Sequence, residues 1–308
     1  MNQYISIIIP TYKKTERLLL TLTSLNHQDY PVDQYEILIV NDACDPNVDR
    51  LIKQYEGIKV ESIHGEGKGP ARAKNKAISQ AVGDIFVFLD DDVLCRGDFL
   101  INHAGYYKQP DADNTVVTAK RRHVYMKLDS SEIAEVQKTL LSSFETLNDM
   151  SYKDPHCSLL DKAYTNGVPN CNVAWVCLNG CNFSAHRAII EKVNGFDGNL
   201  TYLEDTDIGL RMWEESGRFH YCENALNYHM EHADTINARK GGWLKNYPLF
   251  EKKHKLTAKL YALFFNGKIT LEEFDHHYKE QTLPAETIEI GSYWFWEEFA
   301  LRRWKNEK

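Results

Sequence analysis

Three consecutive aspartates, Asp90, Asp91 and Asp92, directly follow an apolar run at residues 85–89. Adjacent carboxylates repel one another unless a positive charge lies close to them. A hard divalent cation such as Mg²⁺ or Mn²⁺ is a natural partner, because it takes oxygen ligands from one or two carboxylates and completes its shell with substrate phosphates. A solvated acidic turn is the alternative interpretation. The buried strand that is predicted directly before the triplet favours the metal site.

A glycine-rich loop at residues 65–70 precedes a predicted helix that carries Arg72 and Asn75. Glycine lets the backbone approach a phosphate, and a helix N-terminus favours anions. Arg72 and Asn75 share a helix face, since they are three residues apart. The loop is not the dinucleotide fingerprint, which would need glycine at Pro70, nor a Walker A loop, which would need Ser or Thr after Lys68. A flexible surface loop without a ligand is the alternative.

Further along the chain, Glu204, Asp205 and Asp207 fall at or near the start of a predicted helix, shortly after the Gly-Phe-Asp sequence at 195–197. Acidic side chains at a helix N-terminus are stabilised by the helix dipole, which would account for them without any catalytic role. Alternatively, one carboxylate faces a substrate hydroxyl group and acts as a general base. His229 has no partner motif, and a lone histidine is more often structural than a metal ligand.

Apolar runs alternate with helical patterns in the first hundred residues, and these elements must position the polar groups. The apolar runs lie at 5–9, 37–40 and 85–89, and the helical patterns at 15–28, 49–55 and 71–82. Strands that are apolar on both faces and separated by helices indicate a parallel sheet covered on both sides. The sequence therefore predicts an α/β fold with a doubly wound, mostly parallel sheet flanked by helices.

Polar residues follow these predicted strands where each strand ends. Pro10, Thr11 and Tyr12 follow the strand predicted at 5–9, and Asp42 follows the strand predicted at 37–40. Asp90 directly follows the strand predicted at 85–89. In such sheets, ligands bind beyond the carboxyl ends of the strands. We therefore expect these residues to line a ligand site.

The second half of the chain is less regular. Strands are predicted at 115–119, 174–178 and 219–222, helices at 132–150 and 205–216, and a loop at 151–172. Beyond about residue 235 the pattern is helical and aromatic. We therefore predict a main domain at 1–235 and a small helical C-terminal region at 236–308.

The aromatic segment at 285–308 contains Trp294, Trp296, Arg302 and Arg303. An amphipathic helix of this kind could rest peripherally on a membrane or contact a partner subunit, including a second copy of the chain. Packing of the segment back onto the main domain is the alternative that we favour.

Bulk composition narrows the class of protein. The 308-residue chain has a formal net charge of -8, which argues against a nucleic-acid-binding protein. Its seven cysteines are odd in number and include no C-x-x-C pair, which indicates a reducing compartment. No apolar stretch approaches the length of about 18 residues that a transmembrane helix needs, and no signal peptide is recognisable. We expect a cytoplasmic protein, with peripheral contact at the inner face of a membrane as an option.

Taken in order, these segments resemble the family 2 glycosyltransferases, which have the GT-A fold. The resemblance covers roughly residues 4–232. The segments that carry it lie at 7–12, 40–42, 69–75, 90–92, 182–187, 195–197 and 204–205. No one of them is decisive, whereas the ordered set is specific.

The resemblance implies a role for each group. The nucleotide-binding residues would be Pro10, Thr11, Tyr12, Asp42, Arg72, Asn75, Asp90 and Asp91. The metal ligands for Mn²⁺ or Mg²⁺ would be Asp92, Asp90 and His229. Asp205, with Glu204 beside it, would be the catalytic base. By the same resemblance, residues 1–120 would form the nucleotide-sugar half of the main domain and residues 120–235 the acceptor half.

The implied activity is that of a metal-dependent, hexosyltransferase-like enzyme in glycan or glycoconjugate biosynthesis. It would transfer a sugar from a nucleotide-diphosphate donor, with UDP favoured, to a glycan, lipid-linked or small-molecule acceptor, with inversion. Lys13 stands where the family commonly has Asn, and Ala43 and Cys44 replace a common Gly-Ser, so the base is less certain. The Q-x-x-R-W motif of processive members is absent, which favours transfer of single sugars. A nucleotidyltransferase and a non-catalytic nucleotide-binding protein remain as alternatives.

Overall fold

The computed structural model describes residues 3–53, 55, 58–126, 133–138, 145–231 and 235–284. The first half of the chain alternates strands and helices: β1 (Ile5–Thr11), α1 (Thr15–Leu25), β2 (Tyr35–Asn41), α2 (Pro46–Lys53), β3 (Lys59–His64), α3 (Pro70–Ile78), β4 (Ile85–Phe88), β5 (Val93–Cys95) and α4 (Phe99–Ala104).

The second half adds strands β6 (Thr115–Val124), β7 (Ser151–Lys153), β8 (Tyr164–Thr165), β9 (Val168–Pro169), β10 (Phe183–His186) and β11 (Arg218–Met230). Its helices are α5 (133–138), α6 (Glu145–Met150), α7 (Pro155–Ala163), α8 (Arg187–Lys192), α9 (Glu204–Glu214), α10 (Thr235–Phe265) and α11 (Leu271–Glu280). In the part of the chain that is described, no helix has both the length and the apolar composition to cross a membrane.

One large sheet organises the molecule, with the strand order β3-β2-β1-β4-β10-β6-β11-β5 and with β7 paired to β6. The pairs β2–β3, β1–β2, β1–β4 and β6–β11 are parallel, whereas β10 runs antiparallel to both β4 and β6. The predicted α/β fold with a mostly parallel sheet flanked by helices is confirmed. The carboxyl ends of β1, β2 and β4 meet at one edge, where the polar residues were expected.

The strands near the centre of the sheet are apolar on both faces because helices cover both. Ile7 and Ile39 belong to a hydrophobic cluster on one face, which includes Leu18 of α1. Ile8 and Leu38 belong to the cluster on the opposite face. Burial on both faces accounts for the near-continuous apolar runs in the sequence.

The predicted loop at 151–172 is wrong, because it contains β7, α7, β8 and β9. The segment is rich in residue types that favour turns, but its Asp-Pro sequence begins α7. Asp154 is the N-cap and accepts a hydrogen bond of 2.7 Å from the backbone nitrogen of His156, and Pro155 stands in the first turn. Both residue types are favoured at helix starts as well as in turns.

The predicted strand at 174–178 is also wrong, because Ala174–Cys177 forms a 3₁₀-helix. A short apolar run does not by itself distinguish a strand from a buried helical turn. Trp175 is fully buried and lies 6.0 Å, between ring centroids, from Phe274 of α11. The run is apolar because the C-terminal helices cover it.

The other predictions for the second half are confirmed with changed bounds. The strands predicted at 115–119 and 219–222 are the beginnings of β6 and of β11, both of which are longer. The helix predicted at 132–150 is helical at 133–138 and at 145–150, and the residues between lie outside the described part. The aromatic segment 285–308 lies outside it as well. The domain boundary near residue 235 stays a prediction, although α10 and α11 contribute to the same core as the sheet.

A buried carboxylate joins α9 to α10. Asp207 is 0% exposed and accepts hydrogen bonds from Arg211 in its own helix. Lys253 Nζ lies 2.7 Å and His254 Nε2 lies 2.8 Å from its other oxygen. Burial alone would raise the pKa of Asp207, but the hydrogen bond from His254 and the charges of Arg211 and Lys253 outweigh it and lower that pKa to about 2. These contacts fix α9, which carries Glu204 and Asp205.

We predict that Asp207→Ala lowers the free energy of unfolding by about 3–5 kcal/mol, because buried cationic groups lose their counter-charge. Since the folded pKa is about 2 and the ordinary value is 3.8, the unfolded chain binds the proton first as pH falls. The stabilisation is therefore complete above about pH 4 and is lost as the pH falls towards 2. Chemical denaturation between pH 7 and pH 2.5 measures both effects.

Asp161→Asn is the control, because Asp161 pairs with Lys153 at 2.9 Å on the surface, with both side chains more than half exposed. A surface pair of this kind contributes about 1 kcal/mol or less. Equal losses in the two variants would show that the buried contacts of Asp207 do not fix α9.

Candidate active site

A cavity of about 1100 Å³ opens at the carboxyl edge of the parallel strands. Eight of the residues predicted from the sequence line it: Pro10, Thr11, Tyr12, Asp42, Asp90, Asp91, Glu204 and Asp205. Arg72, Asn75, Asp92 and His229 do not belong to its lining. Arg72 and Asn75 lie on α3 and Asp92 lies beside Asp91, whereas His229 lies on β11, which contributes no residue to the lining. Residues far apart in the chain thus meet where the sheet topology predicted a ligand site.

Asp42 shapes the glycine-rich loop. Its carboxylate accepts hydrogen bonds from the backbone nitrogens of Glu66, Gly67 and Gly69 at 3.0, 2.9 and 3.0 Å. Gly67 and Gly69 have positive φ angles of 66° and 97°, a region that favours glycine. A Cβ atom at Gly65 would lie 2.2 Å from Oδ1 of Asp42. The end of β2 and the loop before α3 are therefore held as one unit.

Arg72 and Asn75 connect α3 to the segment that leads to α9. Arg72 Nε donates to the carbonyl oxygen of Gly198 at 2.9 Å. The amide of Asn75 exchanges two hydrogen bonds with the backbone of Phe196, at 2.7 and 2.8 Å. Their predicted contact with a nucleotide stays a prediction.

Asp90, Asp92 and His229 form a cluster that could hold a metal ion. One ligand atom from each residue can be chosen so that all lie within 4.8 Å of one another. The turn that carries the aspartates is tied to β11, because the backbone nitrogen of Met230 donates to the carbonyl oxygen of Asp92 at 2.8 Å. Two carboxylates and one imidazole form a donor set that fits Mn²⁺ and, with more oxygen ligands from substrate and water, Mg²⁺.

The middle aspartate has a different environment. Asp91 accepts a hydrogen bond of 2.7 Å from Thr11 Oγ1, so it joins the end of β4 to the end of β1. Lys14 Nζ lies 3.3 Å from Asp91 and 3.0 Å from Asp92. Burial and the neighbouring Asp92 carboxylate raise the pKa of Asp90 to about 7 and that of Asp91 to about 6. Both shifts indicate a site that favours added positive charge.

Asp205 is held by two donors from different parts of the chain. Lys74 Nζ lies 2.8 Å from its Oδ1 atom, and the backbone nitrogen of Gly180 donates to Oδ2 at 2.9 Å. Glu204 also approaches Lys74, at 3.3 Å. Burial and the charge of Asp205 raise the pKa of Glu204.

Sequence reasoning missed Lys14, Lys74 and Gly180. Lys74 lies inside the segment 69–75 and Lys14 lies two residues after the segment 7–12, both of which were already singled out. The sequence around each lysine does not indicate which carboxylate its ammonium group contacts. Gly180 lies in an Asn-Gly turn sequence, which by itself predicts only a bend.

A second polar group lines the opposite wall of the cavity and was also missed. Arg121 and His123 of β6 both contact the carboxylate of Asp154, with His123 Nε2 at 2.8 Å. Burial alone would raise the pKa of Asp154, but the charge of Arg121 and the hydrogen bond from His123 hold it well below its ordinary value. His156 and Asn179 lie beside this group in the lining.

An apolar wall completes the cavity. Leu159 of α7 and Tyr261, Phe264 and Phe265 of α10 belong to it. Tyr261 also contacts Thr206 of α9 through its hydroxyl group at 3.3 Å. Residues 120–175 and the C-terminal region, for which no motif gave guidance, therefore contribute 14 of the 35 residues that line the cavity.

Comparison with known proteins identifies relatives of this chain. The family model "Glycosyl transferase family 2" matches residues 6–167. The "Uncharacterized glycosyltransferase YfnE" of Bacillus subtilis (strain 168) is 24% identical over 261 residues, which are 76% of this chain and 66% of the relative. The poly(ribitol-phosphate) beta-N-acetylglucosaminyltransferase TarS of Staphylococcus aureus (strain Mu50 / ATCC 700699) is 26% identical over 37% of this chain and 21% of its own length. The chain thus spans less than two thirds of each of these relatives.

Solved structures share the fold. Residues 1–349 of S. aureus TarS in complex with UDP-GlcNAc superpose with a TM-score of 0.59 at 16% identity, covering 88% of this chain and 77% of that one. The mannosyltransferase PcManGT from Pyrobaculum calidifontis, in complex with GDP-Man and Mn²⁺, gives a TM-score of 0.57 at 17% identity, with 83% and 66% covered. The predicted GT-A fold is confirmed.

We predict that Gly180→Ala displaces the carboxylate of Asp205, because the added Cβ atom would lie 2.1 Å from Oδ2. A clash of this kind costs about 1–3 kcal/mol of stability unless Asp205 moves away. A crystal structure and thermal unfolding of the variant measure both outcomes.

Gly105→Ala is the matched control, since nothing lies within 4 Å of its added Cβ atom and its φ of -54° suits alanine. We expect its stability to be unchanged or slightly increased. An Asp205 carboxylate that stays within hydrogen-bond distance of residue 180 in Gly180→Ala would contradict the close approach described here.

Proposed function

Because this chain belongs to glycosyl transferase family 2, the family whose model matches residues 6–167, we propose that it transfers a sugar from a nucleotide-diphosphate donor to an acceptor hydroxyl group. One observation carries the proposal. Asp90 of the candidate metal cluster and the carboxylate Asp205 line the same cavity. The leaving group would therefore be stabilised, and the nucleophile activated, within one site. This arrangement fits a substitution at a sugar carbon that lies between them.

The donor would bind over the ends of β1 and β2. Pro10, Thr11 and Tyr12 line this part of the cavity together with Asp42. Tyr12 is 55% exposed, so its ring would be accessible for stacking on a base. Arg72 and Asn75, which brace the helix after the glycine-rich loop, would support the diphosphate. We propose UDP as the nucleotide. Solved structures of similar fold contain UDP-GlcNAc and GDP-Man, so GDP is the second nucleotide to test.

Asp90, Asp92 and His229 would hold Mn²⁺ or Mg²⁺. Such an ion supplies charge stabilisation for the departing diphosphate. The chain itself places Lys14 beside Asp91 and Asp92, where it offsets part of their charge before a donor arrives. Asp91 would act through Thr11, by fixing the loop on which the nucleotide lies.

Asp205 would remove the proton from the acceptor hydroxyl group, with Glu204 beside it. Its side chain is 28% exposed towards the cavity, and both oxygens are already oriented by donors on the protein. Attack from the side of Asp205, opposite the diphosphate, would invert the anomeric configuration. The acceptor would lie between the apolar wall and the group around Asp154. The enzyme would transfer one sugar at a time, because the sequence lacks the Q-x-x-R-W motif of processive members.

We predict that UDP binds with Mn²⁺ and fails to bind tightly in the presence of a chelator or in Asp92→Ala. The reason is that the diphosphate would share the ion with the Asp92 carboxylate. Isothermal titration calorimetry measures the affinities. Asp113→Ala is the control, because Asp113 has a side chain that is 77% exposed and does not line the cavity.

Equal UDP affinity with Mn²⁺, with chelator and in Asp92→Ala would contradict the metal-bridged site. If UDP binds under none of these conditions, GDP, CDP and dTDP would be titrated in the same way. Failure of all four would overturn the assignment of a nucleotide donor.

We predict that Asp205→Asn lowers the rate of sugar transfer by about 10²–10⁴-fold and leaves the affinity for UDP unchanged, since a general base contributes about this much. A screen of nucleotide sugars against simple glycoside acceptors, read by release of nucleoside diphosphate, measures the rate. Release of pyrophosphate in a parallel assay with a nucleoside triphosphate and a sugar phosphate would instead identify a nucleotidyltransferase. An unchanged rate in Asp205→Asn would remove Asp205 from the role of base.

A further inference from the structure

Lys74 is a buried lysine whose side chain crosses from α3 to the start of α9. The residue is 1% exposed, although it lies in the cavity lining. Its ammonium group lies 2.8 Å from Asp205 Oδ1, 3.3 Å from Glu204 Oε1 and 4.9 Å from the centre of the Phe196 ring. The contact links residues 131 positions apart in the chain.

Stability alone does not account for this buried charge. Removing an ammonium group from water costs several kcal/mol, and a buried ion pair is often no more stabilising than apolar residues of the same volume. Burial lowers the pKa of Lys74, but the charges of Asp205, Glu204 and Asp90 outweigh it, so the group stays protonated. A permanent positive charge is thus kept beside the carboxylate that faces the cavity.

The geometry around Asp205 shows what this charge can do. Lys74 contacts one carboxylate oxygen and the backbone of Gly180 contacts the other, so the plane of the carboxylate is fixed at both ends. A carboxylate oxygen has two lone pairs, and one donor on each oxygen leaves the second free. Asp205 is therefore oriented on the protein side and remains available on the cavity side.

We propose that Lys74 is a positioning residue, which holds the carboxylate of Asp205 in the orientation needed to accept the proton of an acceptor hydroxyl group. The proposal rests on the function proposed above. A base that is misplaced by about 1 Å can cost about 10²-fold in rate. The donor contacts proposed above are assigned to other residues, and the ammonium group of Lys74 is directed to Asp205 and Glu204. The positioning role therefore acts on turnover and not on donor affinity.

The chain offers a matched control in Lys59. Its ammonium group lies 2.6 Å from Glu36, a carboxylate whose side chain is 1% exposed, and the pair does not line the cavity. Lys59→Met therefore removes a lysine from a buried carboxylate without touching Asp205. The Lys59 side chain is 47% exposed, so this variant reports the effect on turnover of losing a lysine from a buried carboxylate outside the cavity.

The test compares Lys74→Met, Lys74→Arg and Lys59→Met. The first readout is the crystal structure of each variant. We expect the Asp205 carboxylate to rotate in Lys74→Met, so that its 2.9 Å contact with the Gly180 nitrogen is lost. The second readout is turnover with the UDP-sugar and glycoside pair that the wild type uses fastest. We expect kcat to fall about 10²-fold in Lys74→Met, with the donor KM and the UDP affinity unchanged.

Lys74→Arg should recover a large part of kcat, because arginine restores a cation at the same carboxylate, and Lys59→Met should retain the wild-type kcat. An unmoved Asp205 carboxylate in Lys74→Met, or a kcat equal to that of Lys59→Met, would overturn the positioning role. If the wild type transfers no sugar from any donor, the proposed function fails, and the crystal structures alone still decide whether Lys74 orients Asp205.

Discussion

Mutual repulsion among carboxylates is the constraint that the architecture of this site must satisfy. Five acidic side chains meet at one edge of the cavity: Asp90, Asp91, Asp92, Glu204 and Asp205. In a partly buried site such charges interact through a low dielectric, so the protein must supply positive charge nearby. Lys14 lies between Asp91 and Asp92, and Lys74 lies between Glu204 and Asp205. Two cations do not balance five carboxylates, and burial and the Asp92 carboxylate raise the pKa of Asp90 despite the opposing charges of Lys74 and Lys14.

The incomplete offset gives the two ends of the site different properties. At Asp90 and Asp92 the remaining negative charge, together with the imidazole of His229, suits a divalent ion that brings a diphosphate with it. At Asp205 the carboxylate already has a cation and a backbone donor, which stabilise its charged form without a metal. The separation of these two environments is the physical basis for the proposed transfer reaction.

The rest of the fold keeps these groups in place. Asn75 holds the chain around Phe196, and Asp207 holds α9 against α10, so the start of α9 is fixed from both sides. The family match ends at residue 167, before Glu204, Asp205 and His229 are reached. The assignment of these three residues therefore depends on the geometry of the site and on the resemblance of local motifs.

The sequence by itself determined the parallel sheet and the edge at which the cavity opens. Both follow from local patterns: apolar runs such as residues 5–9 report burial on two faces, and polar residues such as Asp42 and Asp90 come directly after their strands. For the same reason it predicted six residues of the cavity lining, which are Pro10, Thr11, Tyr12, Asp42, Asp90 and Asp91. It was wrong at 151–172 and at 174–178, where Asp-Pro and a short apolar run each fit more than one local structure.

Only the tertiary structure decided which charged groups meet. The pairing of Lys74 with Asp205, the donation from Gly180 to Asp205 and the contact of Arg121 with Asp154 join residues 131, 25 and 33 positions apart. Such contacts depend on the order of strands in the sheet, where β10 lies antiparallel between β4 and β6, and on the docking of α9 beside α3. Local sequence patterns carry no information on the strand order or on the docking of the helices. These patterns depend on a few neighbouring residues, whereas the contacts between distant residues depend on the packing of the whole core.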